Sequence, residues 1–175
     1  KVLPIAREIL YGVDKGDHIW KYKTSYFRDN KTTELSNIPF IKEYLKELSN
    51  KFVDLMGFEW MGEIGMDLFV SKMEKGDKHD LHIHPNCILS GVCYLNTSED
   101  CSPIIFEDPR SVRSFNSLVK KGGNYNGNAT YDNQSDAIYL PKNGDILVWE
   151  SWLKHQVATN TCDCRETLVF NVFRT

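Results

Sequence analysis

The sequence lacks a long apolar run and lacks a strong excess of either charge. No stretch approaches the roughly 18 consecutive apolar residues that would span a bilayer. The 21 basic and 24 acidic residues leave a net charge of −3, whereas a nucleic-acid-binding surface would be expected to be basic. We therefore expect neither a membrane anchor nor a nucleic-acid partner.

Cysteine is also scarce, with five in 175 residues. An odd number in a chain of this size does not suit a disulfide framework and favours a reducing compartment. We expect a cytoplasmic protein with reduced thiols, including Cys162 and Cys164 in the loop between His155 and Arg165. A zinc role for this pair is disfavoured because no other Cys or His pair lies near it in the sequence.

The composition is that of an ordinary globular protein, with 41% apolar and 26% charged residues. The length suits one domain. We expect a single domain over residues 1–175, in which residues 1–57 give helical and β support and residues 58–175 form a β core. The oligomeric state is left open.

Hydrophobic periodicity predicts one long helix, and it changes abruptly at Gly57. Before this glycine, apolar residues recur at helical spacing from Pro39 to Met56. After it, short apolar stretches separated by Gly, Pro, Asn and Asp predict eight strands: Met66–Met73, Leu81–His84, Ile88–Asn96, Ile104–Glu107, Ala137–Leu140, Asp145–Glu150, His155–Ala158 and Thr167–Phe173. This order predicts a mainly β sandwich or barrel with a helix packed outside it.

One segment is too polar to belong to the core. Lys120–Ser135 is crowded with glycine and asparagine, and we expect a long loop there. The wider segment Arg110–Ser135 is a candidate lid over a functional site, with Tyr125 and Tyr131 as candidate substrate contacts. The alternative is a surface loop without function.

Three histidines suggest a metal site. His82 and His84 are two apart in a predicted strand, so alternation places both on one face, together with Asp80. His155 begins a late predicted strand and is the obvious third member. Such a facial set suits Fe(II), Mn(II) or Zn(II).

Arg165 is a candidate anion-binding residue. Alternation along the last strand places it on one face with Thr167, Val169 and Asn171. A guanidinium on the inner face of a buried strand needs a partner. That partner is either an internal Asp or Glu, or a bound carboxylate held by two hydrogen bonds.

These elements together resemble the Fe(II)/2-oxoglutarate-dependent dioxygenases and, within them, a 2OG-Fe(II) oxygenase family with phage and bacterial members. The resemblance covers about residues 60–175. It is carried by His82–Leu95 (HIHPNCILSGVCYL), Phe106–Arg110 (FEDPR), Pro141–Val157 (PKNGDILVWESWLKHQV) and the stretch from Arg165 to Asn171. The family implies a double-stranded β-helix of the jelly-roll or cupin kind, here with the long helix on the N-terminal side of the β core.

The resemblance also implies roles for individual residues. His82 and His155 would bind the iron, and Arg165 would hold the distal carboxylate of 2-oxoglutarate with help from Tyr94. Asn171, on the same face as Arg165, is placed in the pocket wall with 2-oxoglutarate or substrate as its partner.

The wider superfamily has a carboxylate where this chain has His84. The narrower family also shows the HxHP pattern, which favours His84 as the third ligand, whereas Asp80 on the same predicted face remains the alternative. Because the histidines must be neutral to bind a metal, we expect metal binding to weaken below about pH 6.

The predicted function is a hydroxylase that uses Fe(II), 2-oxoglutarate and O2, with ascorbate as a possible supporting reductant. Its substrate is a small molecule or peptide that the sequence does not identify. One alternative is a cupin-like metal protein with isomerase or O2 chemistry and no 2-oxoglutarate, which would leave Arg165 unexplained. Another is a non-catalytic jelly-roll binding module, for instance for sugar, in which some of the four tryptophans would stack on a ring.

Overall fold

The computed structural model of the chain describes residues 2–11, 22–26, 39–110 and 136–175. Apart from Arg110, the candidate lid Arg110–Ser135 lies outside the described residues. The same holds for the predicted loop Lys120–Ser135 and for its tyrosines Tyr125 and Tyr131.

Strands make up most of the regular structure in the described ranges. The helices are α1 (Val2–Leu10) and α2 (Pro39–Leu55). The strands are β1 (Lys23–Thr24), β2 (Ile64–Met73), β3 (His79–His82), β4 (Leu89–Asn96), β5 (Ile104–Glu107), β6 (Asp136–Tyr139), β7 (Ile146–Glu150), β8 (His155–Val157) and β9 (Arg165–Arg174). All eight predicted strands are found; β5 has the predicted bounds, and the ends of the others shift by one or two residues.

The strands form two antiparallel sheets. The larger sheet has the order β1-β2-β9-β4-β7, and the smaller one has the order β3-β8-β5-β6. This is the architecture of a double-stranded β-helix of the jelly-roll and cupin kind. The predicted fold class is therefore confirmed.

The helices differ in part from the expectation. The long helix predicted from Pro39 to Met56 is α2, which ends at Leu55 and is followed by Gly57 in the left-handed region (φ 74°). It is the second helix of the described chain. The first, α1, has only nine residues and was not predicted. Its Arg7 forms a 2.8 Å ion pair with the buried Glu166 of β9.

Two apolar clusters lie on opposite faces of the larger sheet. On the helical side, Ile41 and Leu45 of α2 belong to one cluster with Leu168 and Phe170 of β9. On the other side, between the sheets, the second cluster contains Trp149 and its neighbours on β4 and β5. The predicted alternation of β9 is thus confirmed, because its apolar face packs towards the helices and its mixed face looks into the space between the sheets.

Gly91 of β4 allows close packing between neighbouring strands of the larger sheet. A Cβ atom at this position would lie 2.1 Å from the ring of Phe170 and 2.7 Å from the carbonyl oxygen of Leu147. Any side chain would therefore push the ring and the neighbouring strand apart. The glycine of the LSGVCYL motif is explained by this contact.

The cysteines correct one expectation. A disulfide joins Cys101 and Cys162, so Cys162 is not a reduced loop thiol. Cys164, two residues on, is free, as are Cys87 and Cys93. None of the helices in the described ranges is long and apolar enough to cross a membrane.

Candidate active site

Three histidines converge between the two sheets. His82 is the last residue of β3, His155 is the first residue of β8 and faces His82 across the strand pair, and His84 lies in the turn after β3. Their ligand nitrogens all lie within 4.8 Å of one another. The Nε2 atoms of His84 and His155 are 3.2 Å apart. This is close to the roughly 3 Å expected for two nitrogens that bind one ion at right angles at about 2.1 Å.

Backbone carbonyls orient two of these rings. Nδ1 of His82 lies 2.7 Å from the carbonyl oxygen of Asp80, and Nδ1 of His155 lies 2.9 Å from that of Leu153. In the neutral rings these Nδ1 atoms carry the proton and donate it, so each Nε2 keeps a free lone pair. Three imidazole nitrogens within 4.8 Å of one another suit a cation, so the three histidines could bind a metal ion.

The local environment keeps the histidines neutral. Burial, reinforced by the neighbouring imidazoles, lowers the pKa of His155 to about 3 and that of His84 to about 4. Burial also lowers the pKa of His82, against the hydrogen bond to Asp80. Protons therefore begin to compete with a metal ion for these ring nitrogens only at a lower pH than the value of about 6 expected for ordinary histidines.

Asp80, the alternative third ligand, does not join the cluster. Its side chain is half exposed and forms a 2.6 Å ion pair with Lys78. The register of β3 against β8 shifts between His79 and His82, which inserts one extra residue there. Such a bulge breaks the alternation that would have placed Asp80 on the face of His82. The structure therefore brings His84, and not Asp80, to the other two histidines.

The same bulge places a fourth histidine in the cavity wall. His79 is buried, stacks on the ring of His82 with 3.6 Å between centroids, and has Nδ1 3.1 Å from the hydroxyl of Tyr22. Neither His79 nor Tyr22 is predicted from the sequence to be a functional residue. Nothing in the sequence signals the bulge, and Tyr22 lies 57 residues before His79.

The histidines and Arg165 open into one cavity of about 270 Å³. The face of β9 predicted from alternation lines it from the larger sheet. The lining residues of this strand are Arg165, Thr167, Val169 and Asn171. The described chain thus places the predicted metal ligands and the predicted anion-binding residue around the same space.

Arg165 is buried, and none of the described residues gives it an acidic partner. Its side chain is 3% exposed. Nη2 donates to the hydroxyl of Tyr94 at 3.3 Å, Nη1 lies 3.6 Å from Sδ of Met73, and Nε has no partner in the described ranges. Burial lowers the pKa of this arginine. The internal ion pair considered as an alternative is not found among the described residues.

The other two predicted cofactor-binding residues occupy different positions. Tyr94 is buried behind Arg165, with its ring 5.0 Å from the guanidinium carbon, and is not among the residues lining the cavity. Burial raises the pKa of its phenol, so the hydroxyl is neutral at pH 7. Asn171 does line the cavity, and its amide oxygen accepts a hydrogen bond from Ser90 at 2.9 Å.

A comparison with protein families matches residues 67–171 to the family described as "Putative 2OG-Fe(II) oxygenase". The match includes the three histidines, Arg165, Tyr94 and Asn171, and it spans more than half of the chain. No curated protein matches the sequence.

Solved structures share the fold at low sequence identity. A prolyl-4-hydroxylase from Pseudomonas putida aligns over 99% of this chain and 84% of its own, with a TM-score of 0.62 and 13% identity. A viral collagen prolyl hydroxylase from Paramecium bursaria Chlorella virus-1, solved with 2OG, aligns over 99% and 88%, with a TM-score of 0.58 and 9% identity. A 2OG-Fe(II) oxygenase family oxidoreductase from Burkholderia pseudomallei has a TM-score of 0.52 and 18% identity. The alignment with this oxidoreductase covers 79% of the present chain and only 60% of the Burkholderia protein.

Proposed function

Since the chain belongs to the 2OG-Fe(II) oxygenase family, we propose that it is an Fe(II)- and 2-oxoglutarate-dependent dioxygenase that hydroxylates a small molecule or peptide. In this reaction 2-oxoglutarate loses its first carboxylate as CO2 and becomes succinate. One oxygen atom of O2 enters succinate, and the other forms the hydroxyl group of the product. Electrons and atoms balance without a further reductant in each complete turnover.

The observation that carries this proposal is the buried guanidinium of Arg165. An isolated buried charge costs several kcal/mol, and the described residues offer it only a tyrosine hydroxyl and a thioether. A carboxylate from a ligand in the cavity would pair with it. The site needs a carboxylate for Arg165 and ligand atoms for the open positions of the metal. A dicarboxylic 2-oxo acid supplies both, because one end carries the carboxylate and the other end can chelate the metal.

His82, His84 and His155 would hold the iron. When bound, Fe(II) would supply the activation of O2 and the coordination of the 2-oxo acid. The histidines would stay neutral throughout the reaction at pH 7, because burial lowers the pKa of each ring. Three neutral ligands leave the charge of the metal at +2, and the dianion of 2-oxoglutarate would offset two of the three positive charges that the metal and Arg165 bring to the site.

Other residues, in the pocket wall and behind it, position groups and exclude water. Tyr94 is uncharged, and it holds the guanidinium of Arg165 in position by accepting a hydrogen bond at its hydroxyl and by its ring contact. The wall around the histidines is apolar, and it includes Val92, Ile104 and Trp149. Such a wall would keep water from the reacting atoms and strengthen the electrostatic contacts inside.

The entrance of the cavity favours an uncharged portion of the substrate. Arg165 is the only Lys, Arg, Asp or Glu among the described residues that line the cavity. Four of the lining residues are also exposed, and these are Tyr26, Leu81, Ile83 and Pro85. We assign this apolar rim to substrate entry.

Succinate formation from 2-oxoglutarate, with Fe(II), ascorbate and O2, tests the proposal. We expect turnover in the wild type and its loss in His155→Ala and Arg165→Ala. Arg174→Ala, at the exposed end of the same strand as Arg165, is the matched control and should keep the wild-type rate. If the protein binds Fe(II) but neither binds nor consumes 2-oxoglutarate, the cupin-like alternative replaces this proposal.

A further inference from the structure

The strand that carries His82 lies at the edge of its sheet. β3 has four residues and pairs, among the described strands, with β8 alone. Its register against β8 also shifts between His79 and His82. Nδ1 of His82 donates to the carbonyl oxygen of Asp80, which belongs to the same short strand. This hydrogen bond therefore ties the His82 ring to its own strand and not to the rest of the fold.

His79 covers one face of the His82 ring. The two ring centroids are 3.6 Å apart, and the ring planes differ by 20°. The ring of His155 lies at a different angle, with 4.2 Å between its centroid and that of His82 and 55° between the planes. The lone pair of Nε2 lies in the plane of the imidazole, so a ring stacked on the face leaves this atom open. His79 therefore restrains the tilt of His82 without competing with a metal ion.

Tyr22 holds His79 from the other sheet. It directly precedes β1, which is an edge strand of the larger sheet. Its hydroxyl oxygen lies 3.1 Å from Nδ1 of His79, and the two ring centroids are 5.0 Å apart. Tyr22 is 3% exposed and His79 is 9% exposed. The pair thus joins the edge strand that carries His82 to the edge of the larger sheet.

The surroundings of Tyr22 fix its own position. Its ring belongs to a buried cluster with Met73 of β2 and Val157 of β8, and Val157 lies opposite His79 in the strand pairing. Tyr22 is therefore packed against strands of both sheets. It also lies outside residues 67–171, the part of the chain that matches the family.

We propose that His79 and Tyr22 are positioning residues that hold the His82 ring in the orientation required for metal binding. The inference rests on the proposed function, because His82 is a ligand of the same metal. It gives the segment before the family match a part in the metal site. Both residues act on the metal through His82, and the aromatic ring at position 79 is the group that matters.

The test measures Mn(II) affinity in the full-length wild type and in three variants. A lost supporting contact around a metal ligand weakens metal binding by about 10- to 100-fold, and we expect this loss for His79→Ala. His79→Asn keeps a polar group for the Tyr22 hydroxyl but has no ring, so we expect the same loss. The double variant His79→Phe/Tyr22→Phe keeps both rings and leaves no unpaired polar group between them. Its affinity should stay within about threefold of the wild type.

Val157→Ala is the matched control for a local loss of packing. It opens a gap in the cluster around Tyr22 and should lower the urea midpoint of unfolding. The stack of His79 on His82 remains, so Mn(II) affinity should change by less than about twofold. A role in stability alone would lower Mn(II) affinity in this variant as much as in His79→Ala.

NMR of the metal-free protein gives a second readout. An aromatic ring stacked on His82 shifts the ring-proton resonances of this histidine upfield. We expect this shift in the wild type, in Val157→Ala and in the double variant, and its loss in His79→Ala and His79→Asn. The set of proteins with the upfield shift should be the set that binds Mn(II) with near wild-type affinity.

The contrary results are distinct. Equal Mn(II) affinity in the wild type and His79→Ala overturns the inference, as does an equal loss in Val157→Ala or in the double variant. A loss of 2-oxoglutarate affinity with normal Mn(II) affinity in His79→Ala assigns His79 to the cosubstrate instead. If the wild type binds no Mn(II), the proposed function fails together with this inference. If it binds Mn(II) and the variants all bind equally, only this inference fails.

Discussion

Nη2 of Arg165 lies 3.3 Å from the hydroxyl oxygen of Tyr94, the one oxygen that hydrogen-bonds this guanidinium among the described residues. Both side chains are buried, and Tyr94 is neutral because burial raises the pKa of its phenol. The pair therefore combines a full positive charge with a partner that cannot neutralise it. The proposed function follows from this imbalance, and so does the first prediction.

Arg165→Met should stabilise the empty protein while it weakens 2-oxoglutarate binding. Replacing a buried, poorly paired charge by an apolar side chain of similar volume is often stabilising, by roughly 1–4 kcal/mol. We expect a higher urea midpoint for this variant without ligand, measured by circular dichroism. Loss of the charge pair should weaken 2-oxoglutarate binding by at least about 30-fold in calorimetry with Mn(II). A variant that is less stable when empty, with unchanged affinity, would contradict the role of Arg165.

His84→Ala and Asp80→Ala should have opposite consequences for metal binding. His84 contributes a ligand nitrogen to the cluster, so its loss should weaken Mn(II) binding by at least about 100-fold, more than a lost orienting contact. The Asp80 carboxylate pairs with Lys78 at the surface, so its removal should change affinity by less than about twofold. Competition with a fluorescent chelator measures both. If Asp80→Ala weakened Mn(II) binding more than His84→Ala, Asp80 and not His84 would be the third metal ligand.

The metal-free protein should lose stability as the pH falls below about 6.5. Burial lowers the pKa of His84 to about 4 and that of His155 to about 3, whereas both titrate near 6.5 in the unfolded chain. The unfolded state therefore binds protons that the folded state does not, and each histidine costs up to roughly 1.4 kcal/mol per pH unit over this window. Urea unfolding at pH 7, 6 and 5 measures the slope. His155→Gln should flatten it, and an unchanged slope in this variant would refute the assignment.

The disulfide between Cys101 and Cys162 should contribute to stability. It joins residues 61 positions apart, and removing a disulfide of this kind typically costs about 2–4 kcal/mol. We expect Cys101→Ser to unfold at a lower urea concentration than the wild type under non-reducing conditions. Cys164→Ser removes a neighbouring free thiol and is the control. Equal midpoints for the wild type and Cys101→Ser would show that the bond adds nothing.

The parts of the site that follow from local pattern were predicted from the sequence. The alternation of β9 runs without interruption, so it placed Arg165 and Asn171 on one face, and both line the cavity. The pattern of short strands after Gly57 likewise predicted the two-sheet architecture. These features depend on the alternation of side chains along a strand, which can be recognised from residues adjacent in the sequence.

The parts that depend on tertiary contacts were not predicted. One extra residue in β3 turns His79 inward and Asp80 outward, and no residue type marks such a bulge. Helix α1 is short, and its Arg7 pairs with Glu166, 159 residues away. The disulfide pairs two of five cysteines, an odd number that favoured reduced thiols. In each case the deciding contact joins segments whose proximity only the folded chain reveals.

Anaerobic titration of 2-oxoglutarate into the Fe(II)-loaded protein tests the central claim most directly. Chelation of a 2-oxo acid to Fe(II) produces a visible charge-transfer band, which requires the metal and the cosubstrate to occupy one site. The account predicts a band that saturates at one 2-oxoglutarate per protein, is absent in His155→Ala, and needs far more 2-oxoglutarate in Arg165→Met. No band in the wild type at saturating Fe(II) and 2-oxoglutarate, or identical titrations in all three proteins, would contradict it.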